Sequence, residues 1–147
     1  ELRDGALLRD CFSHGTGEVM LVRRSPEQAA WLARVEQKGF GGAQLREAPE
    51  EIRASREVIL AAVNISGDAL EHASDDLRAD RGVVLDAVRK SWGALQFAAL
   101  ELRADRELVR EALRQSGMAL KHAAPELQAD MSLVLSAVRN NGGALRF

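Results

Sequence analysis

Aromatic residues and cysteine are scarce in this chain of 147 residues. It contains no Tyr, two Trp, four Phe and one Cys. A single cysteine, Cys11, excludes an internal disulfide bond, so folding does not require an oxidising compartment. Cys11 also lacks the sequence signature of a nucleophile, and its alignment with the apolar position of Ala112 predicts that it belongs to the core.

Excess charge and long apolar runs are missing as well. The net charge is −2 at pH 7, which gives the chain no bulk attraction to nucleic acid or to anionic lipid. The longest apolar runs, such as Val58 to Val63, are too short to span a bilayer. No signal or transit peptide is recognisable, and the chain begins at Glu1 without Met, as we expect of a processed or trimmed piece of a longer protein.

A repeat of 25 residues dominates what is present. Its clearest column has leucine at every twenty-fifth position, namely Leu45, Leu70, Leu95, Leu120 and Leu145. Two alanine columns and one Ile/Leu column share this period: Ala48, Ala73, Ala98 and Ala123; Ala62, Ala87, Ala112 and Ala137; and Ile52, Leu77, Leu102 and Leu127. A fixed period of this length is typical of stacked-repeat proteins, in which each unit buries its apolar face against its neighbours.

One unit, residues 67–91, shows the local pattern. Its spacing predicts a short helix over Asp68 to Ala73, a turn or cap at Ser74 to Asp76, and a longer helix after an N-cap at Asp80. Good cap formers stand in the same column of every unit: Ser55, Asp80, Asp105 and Asp130. The small pair Ser66-Gly67 is predicted to end the preceding long helix, with glycine as the residue after its C-cap.

These features predict an all-α fold, a right-handed-type solenoid of short/long helix hairpins with a 25-residue period. The predicted divisions are 1–41, degenerate or partial repeats with a Gly-rich loop; 42–66, 67–91, 92–116 and 117–141, regular repeats; and 142–147, the start of a further repeat. Neither end shows the polar capping repeat that an isolated solenoid needs. We therefore expect that both ends continue or are covered by a partner.

Two segments carry a resemblance to a known family. The segments APEEIRASREVILAAVNISGDAL and APELQADMSLVLSAVRNNGGAL resemble the repeat of the domain-of-unknown-function 4116 family, and the likeness extends over residues 42–147. The resemblance implies a helical array; it implies no activity and no functional residues, because the family has no agreed function. Such repeats are abundant in protists such as dinoflagellates and also occur in some bacteria. For a protist source, the resemblance suggests an organellar setting such as the plastid, including a photosynthetic complex.

Large aromatic side chains at variable positions of the repeat are candidate contacts for a partner. Trp92 stands where the other units have glycine, and Phe97 stands where others have a polar residue or histidine. Trp31 and Phe40 lie in the irregular N-terminal segment. Tryptophan is enriched among the residues that dominate protein interfaces. The alternative interpretation is that these rings fill gaps beside small alanines.

Arginine also recurs in register. Two columns are formed by Arg53, Arg78 and Arg103, and by Arg89, Arg114 and Arg139. Among these we take Arg78, Arg103, Arg89 and Arg114 as candidate partner contacts, because arginine-rich rims are common at protein interfaces. A ladder of this kind could also follow a phosphate backbone. The net acidic charge and the nearby aspartates argue instead for solvated faces with ion pairs.

Catalytic and metal-binding patterns are not apparent. His72 and His122 share a column two units apart, which corresponds to about 20 Å when stacked helices advance about 10 Å per unit, too far for a shared metal. The acidic pairs Glu50-Glu51 and Asp75-Asp76 fall at predicted turns, where carboxylates cap helices or meet solvent. We infer no cofactor, metal or small-molecule ligand, and we expect no enzymatic activity.

The sequence therefore favours a non-catalytic helical-repeat scaffold that mediates protein–protein interaction, as an accessory or linker subunit of a larger assembly. Two alternatives remain at this point. One is nucleic-acid binding through the arginine columns, and the other is a regulatory or tethering segment of a longer enzyme.

Overall fold

The computed structural model describes residues 24–37, 40 and 42–140, and within these ranges it consists of helices and short connections without any strand. The all-α class predicted from the repeat is therefore confirmed. The expectations for Cys11, for residues 1–23 and for the segment 142–147 lie outside the described residues.

In chain order the helices are α1 (Pro26–Val35), η1 (Gly42–Glu47), α2 (Glu50–Arg53), α3 (Arg56–Ile65), η2 (Gly67–His72), α4 (Asp75–Arg78), α5 (Arg81–Lys90), η3 (Trp92–Phe97), α6 (Leu100–Arg103), α7 (Arg106–Gln115), η4 (Gly117–His122), α8 (Pro125–Gln128) and α9 (Met131–Asn140), where η denotes a 3-10 helix. The odd-numbered α-helices have ten residues each, and the even-numbered ones have four.

The short part of each unit differs from the prediction in two respects. The helix expected over Asp68 to Ala73 is the 3-10 helix η2, and the expected turn at Asp75-Asp76 is the start of the one-turn helix α4. Ser74, with φ −61° and ψ 160°, is extended and separates the two segments. Both aspartates lie in the first turn of α4, where the partial positive charge of a helix N-terminus favours carboxylates. Each unit thus contains three helical segments.

The predicted aspartate caps of the long helices are confirmed. The Asp80 carboxylate accepts hydrogen bonds from backbone N–H groups of the first turn of α5, including that of Gly82 at 2.8 Å. Asp105 and Asp130 do the same for α7 and α9. Ser55 occupies the equivalent position before α3 but makes no side-chain hydrogen bond there.

The predicted end of the long helix is confirmed, with Ser66 as the C-cap of α3 and Gly67 as the residue after it. Ser66 is extended, with φ −143° and ψ 121°, and Gly67 begins η2 without the left-handed φ that glycine usually supplies after a helix. The reason for glycine is space. A Cβ on Gly67 would lie 2.4 Å from the carbonyl oxygen of Ala87 and 2.9 Å from Cβ of Ser91. The end of α5 therefore approaches the start of η2 more closely than a side chain allows.

The units stack through two rows of elements. The ten-residue helices contact one another in sequence from α1 to α9, and the 3-10 helices form a second row from η1 to η4. The core lies between the rows and includes the predicted columns: Leu45, Leu70, Leu95 and Leu120; Ala48, Ala73, Ala98 and Ala123; and Ala62, Ala87, Ala112 and Ala137. Small side chains at these positions let neighbouring units approach closely.

Backbone hydrogen bonds also join successive units. The N–H groups of Ser74, Ala99 and Ala124 donate to the carbonyl oxygens of Arg53, Arg78 and Arg103 respectively, each at 2.9 Å. The same bond thus recurs at the same place in each unit, and it fixes the register between the short helices of neighbours.

Candidate binding surface

Two of the four candidate aromatic residues lie in the core. Trp31, on α1, is 8% exposed, and Phe40 is 7% exposed. The guanidinium carbon of Arg34 lies 4.2 Å from the centroid of the Trp31 ring and covers one face of the indole. Both rings are therefore largely withdrawn from solvent in this structure, and they pack with the apolar residues of the first units.

Trp92 and Phe97 lie at the two ends of η3 and are half-buried. The Trp92 ring packs on the imidazole of His122, which belongs to the next unit, with ring centroids 5.9 Å apart and planes inclined by 30°. The ammonium nitrogen of Lys121 lies 5.8 Å from the Trp92 centroid, within the range of a cation–π contact. Trp92 thus forms a surface contact between η3 and η4.

Gln115, the last residue of α7, holds the backbone of Trp92 in place. Its side-chain oxygen accepts a hydrogen bond from the Trp92 N–H at 3.0 Å, and its Nε2 donates to the carbonyl oxygen of Val88 at 2.6 Å. One carboxamide therefore links the ends of α5 and α7 to the start of η3. The indole projects from a backbone position that is fixed on two sides.

The surroundings of His122 favour the neutral form of its ring over the charged form. Partial burial, followed by the positive charges of Lys121 and Arg103, lowers the pKa of His122 below its ordinary value. Arg103 also donates from Nε to the backbone carbonyl oxygen of His122 at 2.7 Å. We call the surface formed by Trp92, Arg103, Lys121 and His122 the Trp92 patch. It combines a partly buried aromatic pair with two cations, and it spans the boundary between two units.

The remaining candidate arginines contact acidic side chains. Arg78 pairs with Asp75 on its own helix. Arg89 lies 3.9 Å from Asp86 on its own helix and 3.8 Å from Glu111 on the next long helix. Arg114 pairs with Glu111 at 2.5 Å. The two predicted arginine columns therefore do not form a continuous unneutralised track over the described units.

A third arginine column was not identified from the sequence, although it is the most regular in the structure. Three arginines at the first position of a long helix bind the N-cap aspartate of the next long helix: Arg56 with Asp80 at 3.3 Å, Arg81 with Asp105 at 2.8 Å, and Arg106 with Asp130 at 2.9 Å. The signal was a spacing of 24 residues, one less than the period, in these pairs. A carboxylate and a guanidinium at that spacing come into contact because neighbouring long helices begin side by side.

The described part of the chain contains neither a cluster of metal ligands nor a membrane-spanning helix. Among residues 24–37, 40 and 42–140, no group of three or more His, Cys, Asp or Glu side chains could hold a metal ion. In the same ranges, no helix has the length and apolar character needed to cross a bilayer.

Comparisons with known proteins agree with the repeat. No curated protein and no solved structure matches the chain. One family model matches three times, over residues 32–78, 80–128 and 105–147, and so covers more than half of the sequence. The chain belongs to the family described as Domain of unknown function (DUF4116).

Proposed function

We propose that this chain is a non-catalytic scaffold that binds another protein through the Trp92 patch. The observation that carries the proposal is the partly exposed indole of Trp92, packed on His122 across a boundary between units. Tryptophan and arginine are the residues that most often dominate the energy of protein interfaces. An aromatic pair flanked by Lys121 and Arg103 offers a partner both apolar area and cationic hydrogen-bond donors.

The repeat itself supports a role for Trp92 beyond folding. Gly42, Gly67 and Gly117 occupy the same position in the other units, and those units stack without an aromatic side chain there. At Gly42, for example, a Cβ would lie only 2.9 Å from Cα of Ala69. The stacking of those units therefore does not require a large side chain at this position. Trp92 packs partly against the core, and binding is a direct reason for its additional surface.

Exposed apolar side chains on the last described helix support membership of a larger assembly. Met131 and Leu135 of α9 are 69% and 54% exposed. In earlier units, Leu60 and Leu85 occupy the column of Leu135 and are half-buried. We propose that the chain is an accessory or linker subunit, in which other protein surface covers α9 in the same way.

The absence of catalysis is part of the proposal, and the roles of the acidic side chains support it. Asp80, Asp105 and Asp130 are engaged as helix caps and in ion pairs between units. Glu50, Glu51, Asp75 and Asp76 are exposed in the first turns of α2 and α4. None of these arrangements places a carboxylate beside a second titratable group in an enclosed site.

The test is native mass spectrometry of the complex that co-purifies with the tagged chain, compared among wild type, Trp92→Gly and Gln96→Ala. The first variant restores the glycine of the other units, and the second changes an exposed residue of the same 3-10 helix. We expect a stoichiometric protein complex for wild type and Gln96→Ala that is lost for Trp92→Gly. Equal recovery from Trp92→Gly would contradict the assigned surface, and recovery of no protein partner, or of nucleic acid alone, would contradict the function.

A further inference from the structure

A groove between α7 and α9 has a different charge from the equivalent region one unit earlier. It has a volume of about 350 Å³ and is lined by Arg110, Leu113, Arg114, Ser136, Arg139 and Asn140. We propose that this C-terminal groove binds a phosphate monoester, carried by a phosphorylated side chain of a protein partner. The phosphate site is argued from the groove alone, whereas the protein source of the phosphate rests on the function proposed above.

The first difference is the loss of an acid. Between α5 and α7, Arg89 reaches Glu111 across the boundary, with Nε and Oε1 3.8 Å apart. One unit later, Arg114 stands in the position of Arg89, and Ser136 stands in the position of Glu111. Arg114 therefore shares its groove with a hydroxyl where Arg89 meets a carboxylate. Its acidic partner is Glu111 on its own helix.

The second difference is an additional arginine. Arg110 occupies the column that holds Leu60 and Leu85 in earlier units. It contacts Glu107 on the same helix at 3.2 Å, and 49% of its side chain is exposed. The residues that line the C-terminal groove thus include three arginines and no carboxylate. The equivalent positions between α5 and α7 are Leu85, Val88, Arg89, Glu111, Arg114 and Gln115, with two arginines and one carboxylate.

A phosphate monoester fits this donor set better than a single carboxylate does. Each guanidinium carries five N–H donors in a planar fork that matches the oxygens of phosphate. A phosphate monoester has three acceptor oxygens and a charge of about −1.5 to −2 at neutral pH, so it can take hydrogen bonds from several arginines at once. A carboxylate has one charge and two oxygens, which leaves more of the positive charge uncompensated.

The distribution of charge argues against a nucleic-acid backbone. A polyanion needs a run of unneutralised cations, since its affinity rests on the release of several counterions. Along the row of long helices, Arg56, Arg81 and Arg106 bind N-cap aspartates, and Arg89 contacts Glu111. The three arginines of the groove therefore form one local cluster and not a continuous track, which suits one dianionic group.

The exposure of the groove favours a phosphorylated protein over a free phosphate compound. The Arg114 side chain is 77% exposed, so the groove does not enclose its ligand. Sites for small molecules usually bury most of the ligand surface. A phosphorylated segment gains additional contacts on the surrounding helices, which compensates for the open site. Arginine clusters are the usual receptors for phosphorylated protein segments.

The experiment is a fluorescence-anisotropy titration of the 147-residue chain with a labelled peptide that carries one phosphoserine among Gly and Ala residues. Ser136→Glu places an acid where the preceding unit has Glu111, and Arg110→Leu restores the leucine of the earlier units. Both positions are exposed on long helices, so neither change removes core packing. Arg46→Leu, on η1, is the matched control, because it removes one exposed arginine far along the array.

We expect the phosphopeptide to bind wild type and Arg46→Leu alike, with affinity that falls as salt is raised. Each groove substitution should weaken binding by about tenfold or more, the effect of losing one charge-assisted interaction. Equal binding of the unphosphorylated peptide, unchanged binding by Ser136→Glu, or no binding at low salt would overturn the proposal. If inorganic phosphate competed with the same affinity as the peptide, the proposal that the phosphate is carried by a protein would be wrong. If a single-stranded oligonucleotide bound more tightly than the phosphopeptide, the proposal that the ligand is a phosphate monoester would be wrong.

Failure of this inference is distinguishable from failure of the proposed function. A protein complex that depends on Trp92 but is unaffected by phosphatase or by Ser136→Glu would remove the phosphate site and leave the scaffold role intact. Phosphopeptide binding without any stoichiometric protein complex would support the phosphate site and contradict the scaffold role.

Discussion

Arg81 and Asp105 are joined across the boundary between neighbouring units, with Nε of the arginine 2.8 Å from Oδ2 of the aspartate. The other oxygen of the same carboxylate accepts the backbone N–H groups of Glu107 at 2.8 Å and of Leu108 at 3.3 Å. One side chain therefore caps its own helix and binds the start of the preceding long helix. Because the pair recurs in each of the last three unit boundaries, it is a structural device of the array.

The two roles of Asp105 can be separated by substitution. Asp105→Asn keeps an oxygen for the cap and removes the charge, so we expect a loss of stability below about 1 kcal/mol, the usual value of an exposed ion pair. Asp105→Ala removes the cap as well and should cost about 1 kcal/mol more. Urea unfolding followed by circular dichroism measures both. Equal losses for the two variants would show that the cap contributes nothing.

The pH dependence of stability should reflect the same carboxylate. Burial raises the pKa of Asp105, but hydrogen bonds from Arg81 and from the N–H groups of Leu108 and Glu107 outweigh this, so its pKa lies below the ordinary value. A lowered carboxyl pKa stabilises the fold above the unfolded pKa of about 3.9, and this contribution is lost as the pH falls through the folded pKa. Thermal melts of wild type should therefore decline below about pH 4 more steeply than those of Asp105→Asn.

His122 should add sensitivity at a higher pH. Its pKa is lowered by burial and by the charges of Lys121 and Arg103, so the folded chain favours the neutral ring. A lowered histidine pKa stabilises the fold above the unfolded pKa of about 6.5, and that contribution is lost as the pH falls through the folded pKa. His122→Phe places in this position the residue that Phe97 supplies one unit earlier. We expect melts of this variant to change less than wild type between about pH 7 and pH 5, and an unchanged profile would refute the assignment.

The repeat columns could be predicted from the sequence because the burial of apolar side chains imposes a period of 25 residues. Contacts between units could not, because they depend on how neighbouring helices lie relative to one another. Leu95 and Asp80 were assigned correctly, since one must be apolar and the other must cap a helix. The interruption at Ser74 was predicted, but the one-turn helix α4 after it was not, because four residues are too few to show a helical period. The Arg81–Asp105 pair was missed because its spacing is offset from the repeat by one residue.

The site was less predictable than the fold for a related reason. Trp31 and Trp92 were both candidate contacts for a partner, but the fold buries the first and leaves the second partly exposed. What distinguishes them is the packing of neighbouring elements, which no local pattern records. Trp92 could be singled out because three glycines in its column showed that the position does not require an aromatic ring.

The assignment of core and surface in η3 is tested by adjacent residues. Leu95 is 0% exposed, and Gln96 beside it is exposed. Leu95→Asp puts a charge in the core and should cost about 3–5 kcal/mol or prevent folding, while Leu95→Ala should cost about 2–4 kcal/mol. Gln96→Asp should be within about 0.5 kcal/mol of wild type. Similar melting temperatures for Leu95→Ala and Gln96→Asp would contradict the burial of Leu95.

Gly67 and Gly93 form a matched pair that tests how closely neighbouring units pack. A Cβ on Gly67 would lie 2.4 Å from the carbonyl oxygen of Ala87, a backbone atom that cannot move without shifting α5. A Cβ on Gly93 would meet its nearest neighbour, Oγ of Ser91, at 3.5 Å, which is an ordinary contact. Gly67→Ala should therefore lower the free energy of unfolding by about 1–3 kcal/mol, as overpacking does, while Gly93→Ala should be neutral or slightly stabilising. If both variants melted like wild type, the two units would have to lie further apart than the structure places them, and the close approach at Gly67 could not be the reason for glycine there.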